Sequence, residues 1–135
     1  MKSMTESTEH IYFINSLYRD FLFPTILGKD NSEILYWAGK HISRKYDLST
    51  IEDLTEFFNM AEFGSLKLVK DKKHSALFKL EGQSVSDRLD SDSHEFSLES
   101  GIIAECLQRR SGNVTEASAT VHPREHYVEI TAQSD

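Results

Sequence analysis

The sequence predicts a single α+β domain in which N-terminal helices pack on an antiparallel four-stranded sheet. Three observations lead there: apolar residues recur at helical spacing through residues 1–63, alternating segments follow in pairs, and only six Gly and two Pro occur. A chain of 135 residues is the size of one domain and buries about two-thirds of the surface its unfolded chain exposes. We expect residues 1–135 to form one domain that begins with a short flexible N-terminus at about 1–7.

The first half of the chain predicts three helices. Apolar spacing indicates a first helix from about Thr8 to Phe23, where Pro24 disfavours helical backbone. Asp30 can cap a second helix, with Glu33 three residues later as a carboxylate version of the capping box.

A third helix is predicted to start at Ser49, with Glu52 completing the pattern Ser-x-x-Glu, and to stop at Gly64. The second half then predicts two hairpins with helices between them. The expected segments are strands near 66–69 and 76–81 around a polar tip at 70–74, a short helix at about 84–89, a helix at 97–110, and strands at 114–121 and 127–132.

The charge balance points away from nucleic acid. Fifteen Lys and Arg against twenty-two Asp and Glu give a net charge of −7, which repels a polyanion at long range. The densest basic stretch runs from Lys67 to His74 and carries no interleaved aromatics, so we expect a solvated hairpin tip rather than a phosphate site. With one cysteine, no N-terminal apolar run beside a basic stretch and no apolar run of membrane-spanning length, we expect a cytoplasmic protein without a membrane span.

Two groups of residues contain potential metal ligands, but neither has the pattern of a metal site. His122 and His126 are four residues apart, but Pro123 indicates a turn in which the rings need not converge. Asp90, Asp92 and His94 lie in a polar loop that lacks the glycine and terminal glutamate of a calcium loop. We expect no metal and no cofactor.

Catalytic chemistry is equally poorly supported. Cys106 falls on the apolar face of a predicted helix, where a thiol is buried and inert. His41, His94 and Glu99 are the remaining candidates for an enzyme, which needs polar groups that converge in a cleft. We expect a protein that is not an enzyme.

Self-association has a clearer signal. The first helix is apolar around more of its circumference than one packing face requires. Gly39 lies inside the second helix, where glycine costs about 1 kcal/mol relative to alanine, so it indicates close backbone approach to a helix of this chain or of a second subunit. Gly101 could act in the same way. We predict a homodimer, with interface residues Tyr12, Phe13, Leu17, Phe21 and Gly39.

Several strings together resemble one family. Leu-Gly at 27–28, Ile-Leu-Tyr-Trp-Ala-Gly-Lys at 34–40 and Phe-x-Leu-Glu-x-Gly at 96–101 are similar to the YslB family of small Firmicutes proteins. That family is similar in turn to 4-vinyl-reductase-like domains and to the Bet-type subunits of the TRAPP trafficking complex.

The resemblance implies a TRAPP/H-NOX-like ligand-binding architecture, often dimeric through the N-terminal helices, with a hydrophobic cavity in some members. Cys106 has no secure match to the acylated cysteine of the trafficking subunits, and the cysteine clusters of many 4-vinyl-reductase-like domains are absent. The resemblance therefore implies the fold more strongly than any activity.

The leading hypothesis is a non-enzymatic homodimeric domain that binds a small hydrophobic ligand between its helices and its sheet. The alternatives are a protein–protein adaptor without a ligand and an enzyme of unknown type. The side chains expected to line such a pocket are Trp37, Phe57, Phe58, Phe78, Phe96 and Cys106.

Overall fold

A computed structural model describes residues 4–135, with side chains from Thr8 onward. The elements follow one another as α1 (Met4–Asn15), a π-helical segment (Ser16–Leu22), α2 (Phe23–Leu27), a 3₁₀ turn (Gly28–Asp30), α3 (Asn31–Lys45), α4 (Ile51–Met60), β1 (Ser65–Asp71), β2 (Ser75–Glu81), α5 (Gln83–Asp90), α6 (Ser97–Ser111), β3 (Thr115–His122) and β4 (Tyr127–Ser134). The expected flexible terminus at 1–7 stays a prediction: residues 1–3 lie outside the described part, and the backbone of α1 begins at Met4.

The four strands form one antiparallel sheet in the order β1-β2-β4-β3. Side chains alternate along each strand, so one face carries the buried Phe78, Leu80, Val128 and Ile130 while the other face is partly exposed. The predicted α+β class is therefore confirmed, with helices on one face of the sheet. A bulge between Leu68 and Lys70 explains why Val69 breaks the alternation of β1.

Helix α6 is the centre of the core. Every residue from Leu98 to Leu107 is buried, because α6 packs against the sheet on one side and against α3 on the other. The predicted bounds of this helix are correct to one residue, and Gly112 ends it in the left-handed conformation that favours glycine.

Two glycines allow α3 and α6 to cross at close range. A Cβ built on Gly39 would lie 2.2 Å from the carbonyl oxygen of Leu98, and one built on Gly101 would lie 2.1 Å from that of Tyr36. The predicted close approach at Gly39 is confirmed, but it occurs within the chain. The placement of Gly39 in a subunit interface is wrong, because Gly39 is buried against the backbone of α6.

The helix boundaries differ from the predicted ones in three respects. Pro24 does not end the first helical run; it stands in the first turn of α2, which continues directly from the π-helical segment. Asp30 stands at the N-cap of α3, but its side chain makes no capping hydrogen bond. The capping box of α4 is formed by Thr50 and Asp53, one residue later than the predicted pair.

Candidate functional site

The N-terminal helical run exposes many large apolar side chains. Their exposed fractions lie between 38% and 67%. The set, which we call the N-terminal apolar surface, consists of Tyr12, Phe13, Ile14, Leu17, Tyr18, Phe21 and Ile26. Four of the five residues predicted for a dimer interface belong to it, and Gly39 does not.

The breadth of this surface is unusual for a helix that packs on its own domain. Tyr12, Phe13 and Ile14 are consecutive and all exposed, and successive helical residues point about 100° apart. The exposed apolar arc therefore covers more than half of the circumference of α1. A helix of a monomeric domain normally directs its apolar stripe to the core, so this arc marks a surface available to a partner.

A buried charge cluster anchors the helical run from the inside. Arg19, in the π-helical segment, donates from Nη2 to Oε1 of Glu99 at 2.7 Å, and Arg88 of α5 donates from Nη1 to Oε2 of the same carboxylate at 3.2 Å. Both guanidiniums also donate to the carbonyl oxygen of Glu95, at 3.0 and 2.5 Å. All three charged side chains are at most 5% exposed.

The electrostatics of the cluster follow from this geometry. Burial opposes charge on the Glu99 carboxylate, but the guanidiniums of Arg19 and Arg88 outweigh it and hold the Glu99 pKa below its ordinary value. Burial lowers the pKa of Arg88 to about 10, against the pull of Glu99. Arg88 also lies over the Phe96 ring, 4.0 Å from its centroid.

The buried charge cluster fixes which side of the helical run faces solvent. Arg19 points inward between Tyr18 and Phe21, which are 44% and 62% exposed. Because Arg19 is held by Glu99 and Glu95, the π-helical segment cannot roll its apolar residues into the core without breaking these bonds. π-Helical turns are often found at functional sites.

The side chains predicted to line a ligand pocket do not lie on one surface. Phe58, Phe78, Phe96 and Cys106 are at most 2% exposed and belong to the hydrophobic core, and Phe57 packs against that core. Trp37 is 61% exposed and contacts His41 instead, with ring centroids 4.1 Å apart and the rings tilted by 52°. Trp37 is therefore wrong as a member of this set, because its side chain is exposed and lies outside the core that contains or contacts the other five.

The candidate catalytic residues are not assembled either. Both carboxylate oxygens of Glu99 are occupied by arginines, His41 contacts Trp37, and His94 is exposed in the loop before α6. Burial, with a smaller contribution from Asp53, raises the pKa of the Cys106 thiol to about 12. Its Sγ donates to the Thr50 carbonyl oxygen at 3.6 Å, and its predicted buried position is confirmed, while its predicted inertness stays a prediction.

The histidine pair has separate partners. Nε2 of His122 lies 3.1 Å from Oε1 of Glu129, and the ring stacks on Tyr127. Nε2 of His126 lies 2.9 Å from Oδ1 of Asp90. Within residues 8–135, no three His, Cys, Asp or Glu side chains are placed to share a metal ion. None of the described helices is long and apolar enough to cross a bilayer.

Sequence reasoning missed the charge cluster. A sequence pattern gives no direct sign that a charged residue such as Arg19 or Arg88 is buried. The available signal was the position of Arg19 inside a run of apolar residues, where a charge must either face solvent or find a buried partner.

Solved structures define the class of protein to which this architecture belongs. A vinyl-4-reductase family protein from Methanocaldococcus jannaschii matches with a TM-score of 0.62 at 18% identity, over 100% of this chain and 96% of that chain. The phenol-responsive sensory domain of the transcription activator PoxR with phenol matches with a TM-score of 0.67 at 11% identity, over 99% and 84%. Subunit 3 of a trafficking protein particle complex from Naegleria fowleri, covalently bound to palmitic acid, gives 0.56 at 12% identity, over 98% and 97%. These matches place the chain in the fold class of vinyl-4-reductase and trafficking-complex domains.

Sequence comparison identifies the family within that class. Residues 12–133 match the family described as protein of unknown function DUF2507. The uncharacterized protein YslB of Bacillus subtilis (strain 168) is 38% identical over 120 residues, which are 88% of this chain and 81% of that protein. The chain belongs to the DUF2507 family, and the resemblance to YslB inferred from the sequence motifs is confirmed.

Proposed function

We propose that this protein is a non-enzymatic domain that forms a homodimer through its N-terminal apolar surface. The observation that carries the proposal is the exposure of seven large apolar side chains on one helical run. At roughly half exposure, and with about 150–250 Å² for each aromatic side chain, they present on the order of 600 Å² of apolar area. A typical stable interface buries about 800 Å² on each partner, so the surface supplies most of the area that a dimer needs.

A second copy of the chain is the partner that this surface suits best. Between Tyr12 and Phe23 the only charged residues are Arg19 and Asp20, and Arg19 is turned into the core. Two copies related by a twofold axis would therefore meet with few like charges across the interface. The match to a subunit of a trafficking complex agrees with an assembly role for this fold.

Sedimentation velocity tests the dimer. We expect the wild-type protein to sediment at micromolar concentration with twice its chain mass of 15.5 kDa. Phe13→Glu with Phe21→Glu should sediment as a monomer, because two buried carboxylates would face an apolar partner. Met60→Glu is the matched control, since Met60 is 85% exposed on α4, outside the apolar surface. A monomeric wild type would refute the proposal.

Binding of a small apolar ligand is the second candidate function, and the structural matches favour it. Two of the matched proteins hold phenol and palmitic acid. In this chain the core side chains expected around such a ligand are packed together, so binding requires that α6 and the sheet separate. Native mass spectrometry distinguishes the two states: a co-purifying small molecule supports the ligand, and a mass equal to the bare chain or its dimer favours an adaptor.

A further inference from the structure

A small basic cleft lies at the end of the domain where the β1–β2 hairpin tip meets the end of α6. Lys72 and Lys73 come from the tip, and Arg110 and Ser111 come from the last turn of α6. Thr115, at the start of β3, completes the polar wall, and the apolar floor consists of Ala76, Leu107 and Ala132. The fold joins two basic segments that are almost forty residues apart in sequence.

The cleft keeps unneutralised charge. Among the residues that line it, Lys72, Lys73 and Arg110 are opposed by one carboxylate, Asp71, which leaves a net charge of +2. Arg110 reaches Asp71 at 3.4 Å, longer than the usual range of about 2.7–3.2 Å for such a bond. The neighbouring Arg109, by contrast, is paired with Asp47 at 2.6 Å. Arg110 is therefore the less firmly bound of the two guanidiniums.

The overall charge of −7 does not prevent anion binding here. At physiological ionic strength the Debye length is about 8 Å, so distant carboxylates are screened while the cleft's own cations act at contact distance. The volume of the cleft is about 40 Å³. A water needs about 10–15 Å³ on this measure, so the cleft has room for a single tetrahedral anion.

We propose that this cleft binds a phosphate group, held by Lys72, Lys73 and Arg110 with a hydroxyl donor from Ser111, whose oxygen accepts from the Asn113 N–H and whose hydrogen remains available. The group carries close to two negative charges at neutral pH, which matches the net charge of the lining. This revises the expectation of a merely solvated hairpin tip: the sequence contains the lysines in one run, but only the fold adds Arg110 to them. The phosphate is either free or the headgroup of a lipid.

An NMR titration of the full chain with inorganic phosphate, against chloride at constant ionic strength, tests the site. We expect saturable amide shifts confined to residues 71–76, 107–115 and 132–134. Lys72→Gln with Lys73→Gln should weaken binding at least about tenfold, because each cation at contact distance contributes a severalfold factor. The matched control, Lys29→Gln with Lys45→Gln, removes the same charge from exposed positions elsewhere and should stay within about twofold.

A variant that is expected to bind phosphate more tightly strengthens the test. Asp71→Asn removes the carboxylate that competes for Arg110 and should tighten phosphate binding about threefold or more. Phosphatidylcholine vesicles with and without phosphatidic acid separate the two sources: tighter binding to the phosphatidic acid vesicles than to free phosphate identifies a lipid headgroup. Shifts that do not saturate, or equal weakening by the two double-lysine variants, would overturn the site.

Discussion

Gly39 and Gly101 face each other where α3 crosses α6, and neither position has space for a methyl group. A Cβ on Gly39 would meet the backbone of α6 at Leu98 and Ile102, and a Cβ on Gly101 would meet the backbone of α3 at Tyr36 and Lys40. Because the obstructing atoms belong to backbone, no side-chain rotation relieves the clash. The distance between the two central helices is therefore set by this glycine pair.

Gly39→Ala should destabilise the protein, although alanine is the better helix former. We expect the clash to cost about 2–3 kcal/mol in the free energy of unfolding, measured by urea denaturation. Asn59→Ala on the exposed side of α4 is the control, and it should change stability by less than about 0.5 kcal/mol. Wild-type stability of Gly39→Ala would show that α3 and α6 can separate at little cost.

Glu99→Gln should be among the most damaging single substitutions in the chain. It leaves the buried guanidiniums of Arg19 and Arg88 without their carboxylate, a loss that costs about 3–5 kcal/mol when a buried pair is broken. Chemical denaturation measures the change. Glu105→Gln on the same helix is the matched control and should cost clearly less, because its partner Arg44 is half exposed. Similar losses for both variants would contradict the special role of Glu99.

The same carboxylate should make stability depend on pH. The pKa of Glu99 is lowered in the folded state, so its contribution is complete above its ordinary value of 4.5 and is lost as the pH falls through the lower folded value. We expect Tm of the wild type to fall as the solution is acidified below pH 4.5. Glu99→Gln should lack this component, and parallel Tm profiles of the two proteins across acidic pH would refute the assignment.

Substitutions at the start of α4 test which of two adjacent residues caps the helix. The Thr50 hydroxyl accepts a hydrogen bond from the Asp53 backbone N–H at 3.0 Å, whereas Ser49 donates to the Asp53 carboxylate, from its backbone N–H and from its side chain. Thr50→Ala should therefore cost about 1 kcal/mol in urea denaturation, and Ser49→Ala should cost clearly less, because its backbone N–H still donates to Asp53. The reverse order would place the cap at the residue that sequence alone indicated.

Cys106 should react with a thiol reagent only after the domain opens. Burial raises its pKa to about 12, so almost no thiolate exists at neutral pH, and the sulfur is packed in the core. Reaction with Ellman's reagent should proceed at the rate of unfolding and become fast in urea. Rapid modification of the native protein would reveal a path to the core, as ligand entry requires.

The parts of the fold that sequence predicted well are those governed by local periodicity. The bounds of α6, the two hairpins and the short α5 follow from alternation, helical spacing and a terminal glycine. The cap of α4 was misplaced by one residue because Ser49 and Thr50 are both good caps, and tertiary packing selects between them. Gly39 was recognised as a site of close approach, but its partner is a helix sixty residues away.

The candidate sites also divide into features that are visible in local sequence and features that depend on long-range contacts. The apolar character of Tyr12, Phe13, Leu17 and Phe21 is visible in sequence, and the structure exposes all four. The Arg19–Glu99–Arg88 cluster and the addition of Arg110 to the lysine tip depend on long-range placement, which a single sequence does not reveal. Periodicity locates faces of elements, whereas the joining of charges across elements requires the tertiary fold.

The π-helical segment at Ser16–Leu22 sets the phase between the two halves of the N-terminal run. Each residue of an α-helix advances about 100°, so deleting one residue within this segment would rotate Tyr12 and Phe13 by about that angle relative to Phe21. The composition of the surface would stay the same while its shape changed. A single-residue insertion or deletion at this position would therefore change the shape that the surface presents, even where every apolar residue is retained.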